Sequence, residues 1–118
     1  METTEKLPKS KVPNVNVSEL KKMLDSNQDF VLLDIRMPFA AKTRWIECSK
    51  RLSIPLDDLT DRHPEIPSGK KIVIIDELGK RTAIAARYLK MKGHQDVEKV
   101  MGGVDKWAKA NLPLASGS

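Results

Sequence analysis

Two short apolar runs constrain the fold of this chain more than any other feature of its sequence. The first, FVLL, occupies positions 30–33, and the second, IVII, occupies positions 72–75. Each run is followed at once by an aspartate, a pattern that predicts a strand buried on both faces. Helical patterns separate these strands, so we expect an α/β fold with a mostly parallel central sheet and helices on both faces.

The remaining elements follow the same alternation. Ser18 is a suitable N-cap, and the helix that it opens places apolar side chains at positions 20, 23 and 24 on one face. Short strands are predicted at 15–17, 51–55 and 97–100, which brings the sheet to about five strands. Further helices are predicted at 38–43, 57–62, 81–92 and 104–111.

The length of 118 residues suits one domain with one core. Residues 1–14 are polar, hold two prolines and are expected to form a flexible tail. Residues 15–114 hold the predicted elements and are expected to form the domain. Residues 115–118, ASGS, are predicted to be a disordered end.

Composition argues against several functional classes. A net charge of +5 spread over the chain, with only 4% aromatic residues, argues against nucleic acid as a partner. The single cysteine cannot form an internal disulfide, and His63 and His94 lie far apart, so we expect no metal and no cofactor. No apolar run approaches the roughly 18 residues that span a bilayer. The N-terminus lacks the apolar stretch of a signal peptide, so we expect a cytoplasmic protein without a membrane partner.

The aspartates that end the two apolar runs, Asp34 and Asp76, indicate where a functional site would lie. In a parallel sheet, ligands bind beyond the carboxyl ends of the strands. The loop DELGKRT (76–82) leads from a strand into a helix, where backbone N–H groups and the helix dipole favour an anion. The sequence therefore places the chemistry near DIR (34–36) and DELGKRT.

Two functions that could use these aspartates fit the chain poorly. VLLDIRMP is similar to the strand that carries the phosphoacceptor of a phosphorelay receiver, here Asp34. Phosphorylation there needs Mg²⁺ held by further carboxylates, and the short segment before Asp34 lacks the acidic pair that ends an earlier strand. IVIIDE has the form of a Walker B segment, but the chain contains no G-x-x-x-x-G-K-[ST] loop to hold phosphates.

The order of motifs over residues 15–114 resembles the single-domain rhodanese (sulfurtransferase) family. Four segments carry the resemblance in the family's order: SELKKMLD with the strand end DIR, LSIPLDDL, KIVIID, and RTAIAARYLKMKGHQDVEKVMGGVDKWAKANLPL. The last segment follows the family's closing pattern of helix, Lys-Gly, short strand, Gly-Gly, helix with Trp, and Leu-Pro. The resemblance implies a three-layer rhodanese-like fold with a central, mostly parallel sheet.

The resemblance also identifies DELGKRT as the counterpart of the family's active loop, which typically reads C-R-S-G-N-R-S. The family's cysteine attacks the outer sulfur of a donor such as thiosulfate and becomes a persulfide, so its loop must favour a thiolate. The corresponding vestigial loop of this chain consists of Asp76, Glu77, Leu78, Gly79, Lys80, Arg81 and Thr82. It has the family's length, its glycine and its second arginine, but Asp76 stands at the position of the cysteine.

An aspartate at this position predicts a loop that fills its own anion cradle. Asp76 has no sulfur, can accept the same N–H hydrogen bonds as a thiolate, and is expected to pair with Arg81. Glu77 adds a negative charge that would repel thiosulfate. Attack by Asp76 on phosphate would need a second aspartate two residues on, where the chain has Leu78. If Asp76 pointed away from the loop, Lys80 and Arg81 could still bind an anion.

The lone cysteine, Cys48, is the other candidate site residue. Basic residues flank it in sequence, namely Lys42, Arg44, Lys50 and Arg51. Nearby cations raise the reactivity of a thiol, which favours a displaced sulfur-accepting group. The alternative is a small, partly buried cysteine without a role.

The sequence therefore predicts a rhodanese-like binding or regulatory module without the family's thiosulfate sulfurtransferase activity. The alternative is a sulfur carrier or sulfurtransferase that uses Cys48 as its persulfide-forming thiol. The expected partner is another protein or the rest of a multidomain parent protein. A small sulfur-containing anion is a second candidate ligand.

Overall fold

The computed structural model describes residues 12–117, which form a five-stranded parallel sheet and a separate two-stranded antiparallel pair. In chain order the elements are β1 (Asn14–Val15), α1 (Val17–Asp25), β2 (Phe30–Asp34), α2 (Pro38–Ala41), β3 (Arg44–Trp45), β4 (Arg51–Ser53), α3 (Leu59–Arg62), β5 (Lys71–Ile75), α4 (Thr82–Met91), β6 (Val97–Val100), α5 (Gly103–Lys109) and β7 (Ala115–Ser116). Two 3₁₀ turns, Leu56–Asp58 and His63–Glu65, flank α3. The large sheet has the order β1-β6-β5-β2-β4, and β3 pairs with β7.

Strands β2 and β5 lie side by side at the centre of the large sheet. Every residue of β2 is buried, and in β5 only Lys71 is partly exposed. The two strands run parallel, with Phe30 opposite Lys71 and Asp34 opposite Ile75. This arrangement explains why both segments are continuous apolar runs: packed side chains cover both faces of each strand.

Alternate side chains of the central strands enter two separate cores, one on each face of the sheet. On one face, Leu33, Ile72 and Ile74 pack in a cluster with α3 and α4, which contribute Leu59, Ala85, Ala86 and Leu89. On the other face, Leu32, Val73 and Ile75 pack in a cluster with α1 and α5, which contribute Leu20, Met23, Val104 and Trp107. The predicted α/β class, with about five strands and helices on both faces, is confirmed.

The N-cap of α1 differs from the sequence prediction. Asn16, and not Ser18, caps the helix: its side-chain oxygen accepts the N–H of Glu19 at 2.8 Å. In return, the Asn16 N–H donates to the Glu19 carboxylate at 2.8 Å, which completes a capping box. Ser18 therefore lies within the helix, and β1 ends earlier than predicted.

Both ends of the described chain carry more structure than the sequence suggests. Val12 is buried, and the carbonyl of Pro13 accepts the N–H of Lys99, so the last residues of the predicted tail 1–14 belong to the domain. The rest of that tail, residues 1–11, lies outside the described residues. The predicted disordered end 115–118 differs from the structure, because Ala115 and Ser116 pair with Trp45 and Arg44, while residue 118 is not described.

Among the described helices, none is both long enough and apolar enough to cross a membrane.

The capping box generates a direct stability prediction. Asn16→Ala should lower the free energy of unfolding by about 1 kcal/mol, because the N–H of Glu19 loses its acceptor. The matched control is Ser18→Ala, which removes an exposed hydroxyl in the first turn and should change stability by less than about 0.5 kcal/mol. Urea titrations followed by circular dichroism measure both. Equal losses in the two variants would contradict the assignment of the cap.

Candidate functional site

The loop DELGKRT begins where β5 ends and is folded around the side chain of Asp76. The Asp76 side chain is buried, with 5% of the residue exposed. One carboxylate oxygen accepts a short hydrogen bond from the N–H of Gly79, and the other accepts the N–H of Arg81 at 2.8 Å. The backbone donors of the loop are thus directed inward at a carboxylate that the loop itself supplies.

The predicted pairing of Asp76 with Arg81 takes a different form in the structure. Arg81 contributes its main-chain N–H, and within residues 12–117 no ion pair joins its guanidinium to Asp76. The Arg81 side chain is exposed at the mouth of the loop. The carboxylate is therefore held by backbone geometry, which any residue at position 81 except proline could supply.

The Gly-Gly pair at 102–103 fixes the position of this loop. The main-chain N–H groups of Val104 and Asp105 donate to the carbonyls of Asp76 and Glu77, both at 2.9 Å. Gly103 has φ +63°, and a Cβ on it would collide with those two carbonyls. The backbone of α5 can approach the loop this closely because residue 103 has no side chain.

A buried ion pair lies beside the loop, at the end of the neighbouring strand β2. The guanidinium of Arg36 donates to both carboxylate oxygens of Asp34, with an Nη2–Oδ2 distance of 2.8 Å. Both side chains are almost fully buried, and Arg51 adds a second contact to Asp34 at 3.1 Å. Burial opposes the charge of Arg36, but its hydrogen bonds to Asp34 and Glu77 and their negative charges outweigh burial and raise the pKa of Arg36.

Glu77 joins this ion pair to the loop. One of its carboxylate oxygens lies 3.1 Å from Nη1 of Arg36, and the other lies 2.7 Å from Nη2 of Arg44. The Arg36 guanidinium also donates to the carbonyl of Arg44 at 2.8 Å. Glu77 therefore faces two cations, which compensate its charge. The sequence alone suggests instead a free negative charge that repels an anion.

A cleft of 330 Å³ opens beside the loop and contains most of the predicted site residues. Its lining consists of Ile35, Arg36, Met37, Ala40, Asp76, Glu77, Leu78, Lys80 and Arg81. Gly79 and Thr82 are not part of this lining, and Thr82 is buried. None of the lining residues carries a thiol or an imidazole, and the buried carboxylate of Asp76 is committed to the loop. The cleft therefore offers a ligand apolar walls and exposed cations.

Cys48 lies in a different place. It precedes β4, is half-buried against the core that contains α1 and α5, and lines a second cleft with residues such as Lys21, Lys50 and Trp107. The segment before β4 reaches the sheet at the end where β2 begins, since the carbonyl of Lys50 accepts the N–H of Leu32. Asp76 lies at the opposite end, and the structure does not bring the two residues together.

Sequence reasoning missed the roles of Arg44 and Arg51. The sequence predicts that both place positive charge beside Cys48, but their guanidinium groups contact Glu77 and Asp34. The main-chain N–H of Arg51, and not its guanidinium, reaches Cys48 and donates to its carbonyl at 3.4 Å. Arg51 is opposite Leu32 in the register of β4 against β2, and its side chain extends to Asp34 at the carboxyl end of β2. The signal that the sequence offered was the presence of two arginines, Arg44 and Arg51, in the segment between the acidic strand ends Asp34 and Asp76.

Comparison with known proteins supports the resemblance seen in the motifs. A family model described as the rhodanese-like domain matches residues 16–110. A sulfurtransferase of Allochromatium vinosum is 30% identical over 105 residues, which cover 89% of this chain and 96% of that protein. A putative sulfur carrier protein of Bacillus subtilis, YrkF, is 29% identical over 98 residues, or 83% of this chain and 52% of that protein.

The fold is also found among solved structures. The crystal structure of a rhodanese-related protein from Thermoplasma volcanium matches with a TM-score of 0.75 at 23% identity. The match covers 87% of this chain and 97% of that one. At this identity the match concerns the arrangement of helices and strands and not the chemistry of the loop.

The buried ion pair generates the second prediction. Arg36→Ala should lower the free energy of unfolding by about 3 kcal/mol, because it leaves the buried carboxylate of Asp34 with only part of its compensation. The control is Arg62→Ala, which breaks the exposed pair with Glu65 and should leave the urea midpoint almost unchanged. A similar small effect in both variants would show that the buried pair is not needed for stability.

Proposed function

The chain belongs to the rhodanese-like domain family, and from this premise we propose that it acts as a binding or regulatory module without the family's thiosulfate sulfurtransferase activity. Its partner in this proposal is another protein or the remainder of a multidomain protein. The cytoplasmic location stays a prediction of the sequence.

One observation carries the proposal: the carboxylate of Asp76 accepts the backbone N–H groups of Gly79 and Arg81. By resemblance, the family's cysteine stands at this position, and its thiolate needs such donors. A thiolate attacks the outer sulfur of thiosulfate, forms a new S–S bond and releases sulfite. A carboxylate in the same place accepts the N–H groups of the loop but provides no sulfur for the new bond.

Because Glu77 is paired, the proposed loss of activity is attributed to the residue at position 76 alone. Because Arg36 and Arg44 compensate the charge of Glu77, the site is not closed to an anion by Glu77 alone. The loop also keeps its closed shape through main-chain bonds to α5. Replacing Asp76 by cysteine should therefore be sufficient to restore sulfurtransferase activity. Glu77 is best left unchanged, because a basic residue there would place a third cation beside Arg36 and Arg44.

Sulfur transfer through Cys48 is the second candidate function. Cys48 is half-buried in a cleft that Lys50 also lines, and the ammonium group of Lys50 would attract a donor anion there. Lys21 lines the same cleft but is paired with Asp25 at 2.7 Å, and Glu47 adds a negative charge. In this mechanism the thiolate attacks thiosulfate, forms a cysteine persulfide and releases sulfite. The names of two relatives, a sulfurtransferase and a putative sulfur carrier protein, support sulfur chemistry in those proteins and justify a direct test here.

The first test restores the sulfur to the loop. In a Cys48→Ser background, so that no other thiol is present, Asp76→Cys should gain thiosulfate:cyanide sulfurtransferase activity, because the loop donors then stabilise a thiolate. The matched control is Asp76→Ser in the same background, which changes the size of the side chain similarly without adding sulfur and should stay inactive. Cyanide-dependent formation of thiocyanate measures the activity.

The unaltered protein should be as inactive as the Asp76→Ser control in this assay. Turnover by the unaltered protein would contradict the proposed loss of activity. A folded Asp76→Cys variant that forms no thiocyanate would contradict the claim that the loop retains the family's cradle, and circular dichroism establishes whether the variant is folded.

A separate test addresses Cys48. The unaltered protein is incubated with thiosulfate or polysulfide, freed of excess donor and weighed intact before and after treatment with dithiothreitol. We expect no sulfur adduct, since Cys48 lies apart from the loop at Asp76. An adduct that dithiothreitol removes and that is absent from Cys48→Ser would establish the sulfur-carrier alternative in place of the inactive module.

A further inference from the structure

We propose that the cleft beside the DELGKRT loop docks an acidic segment of a partner protein, with one apolar side chain of that segment inserted between Met37 and Leu78. This inference rests on the proposed binding function and specifies the chemistry of the partner. It concerns a surface of the described residues that the buried carboxylate of Asp76 leaves open.

The walls of the cleft contain large apolar side chains that are exposed to solvent. Met37 and Leu78 both line it, yet 48% and 51% of their surfaces are exposed. Ile35 and Ala40 also line the cleft, although Ile35 is almost fully buried. Large exposed apolar groups that converge on one concave site are typical of interaction surfaces.

The charges of the cleft favour a negative partner. Arg36 and Glu77 are paired with each other, and the carboxylate of Asp76 is bound by its own loop. Lys80 and Arg81 are exposed at the mouth, and within residues 12–117 neither side chain forms an ion pair. The uncompensated charge is therefore positive, and carboxylates on either side of an apolar anchor would complement it.

Other occupants fit these features less well. A second copy of the chain, bound through the same surface, would bring Lys80 and Arg81 against their own counterparts, and each copy carries a net charge of +5. Residues 1–11 contain two glutamates and three lysines, so this segment is not acidic. A small anion could contact Lys80 and Arg81, but it would leave Met37 and Leu78 exposed.

The test begins with a displayed library of random peptides selected for binding to the full chain. We expect the selected peptides to combine acidic residues with a Leu, Met or Phe. The tightest of them is then synthesised with a fluorophore, and its dissociation constant is measured by fluorescence polarisation at low and at high salt. Higher salt should weaken binding, because it screens the contacts with Lys80 and Arg81.

Matched variants locate the binding surface. Leu78→Ser and the double variant Lys80→Glu/Arg81→Glu should each weaken peptide binding by about tenfold or more. The controls are Met91→Ser, which replaces another exposed apolar residue outside the cleft, and Lys22→Glu, which reverses an exposed charge on α1. Both controls should leave the dissociation constant unchanged, and circular dichroism verifies the fold of every variant.

Three outcomes would overturn the inference. These are selection of no binding peptides, selection of basic or purely apolar peptides, and binding that Leu78→Ser does not weaken.

The thiocyanate assay on the unaltered protein is independent of these outcomes. Turnover together with acidic-peptide binding at this cleft would remove the proposed loss of activity but keep the docking surface. An inactive protein without peptide binding would remove the docking surface but keep the proposed loss of activity.

Discussion

The parallel pairing of β2 with β5 is the constraint on which the rest of the structure depends. Because Asp34 is opposite Ile75, the two strands end at the same level, and the N–H of Ile35 donates to the carbonyl of Ile75 just beyond. The segment after β2 and the loop after β5 therefore leave the sheet side by side. This adjacency allows Arg36 to contact Glu77 although 41 residues separate them in sequence. It also sets Met37 and Leu78 on the same cleft.

Much of the fold could be predicted from the sequence, because its main elements have unambiguous local signals. Two continuous apolar runs can be buried only in a layered structure, and helical patterns between strands favour parallel pairing. The errors lie where two residues can play the same local role, or where the structure depends on a contact distant in sequence. Asn16 and Ser18 are both capable caps, and only the position of Glu19 relative to Asn16 decides between them. The pairing of residues 115–116 with β3 depends on the tertiary fold and has no local signal in a segment as short as ASGS.

The candidate site was only partly predictable for a related reason. The position of Asp76 at a strand end, and the donors offered by the following loop, are consequences of local sequence. The partners of Glu77 are not, because Arg44 reaches it from a segment whose path between β2 and β4 cannot be read from propensities. The sequence therefore suggested a bare, repulsive carboxylate, whereas the structure contains a compensated one.

An anion-binding loop is stable only while an anion occupies it or water reaches its donors. In this chain the occupant is covalently part of the loop, so the loop needs no bound ligand to keep its shape. The same arrangement separates two properties that a catalytic loop must combine, namely a fixed backbone and a reactive side chain. If the proposed function is correct, the chain keeps the first without the second. The backbone on one side of the cleft is then held by hydrogen bonds to Asp76 and α5 before any partner binds. A surface that is fixed in advance loses less conformational entropy on binding than a mobile one.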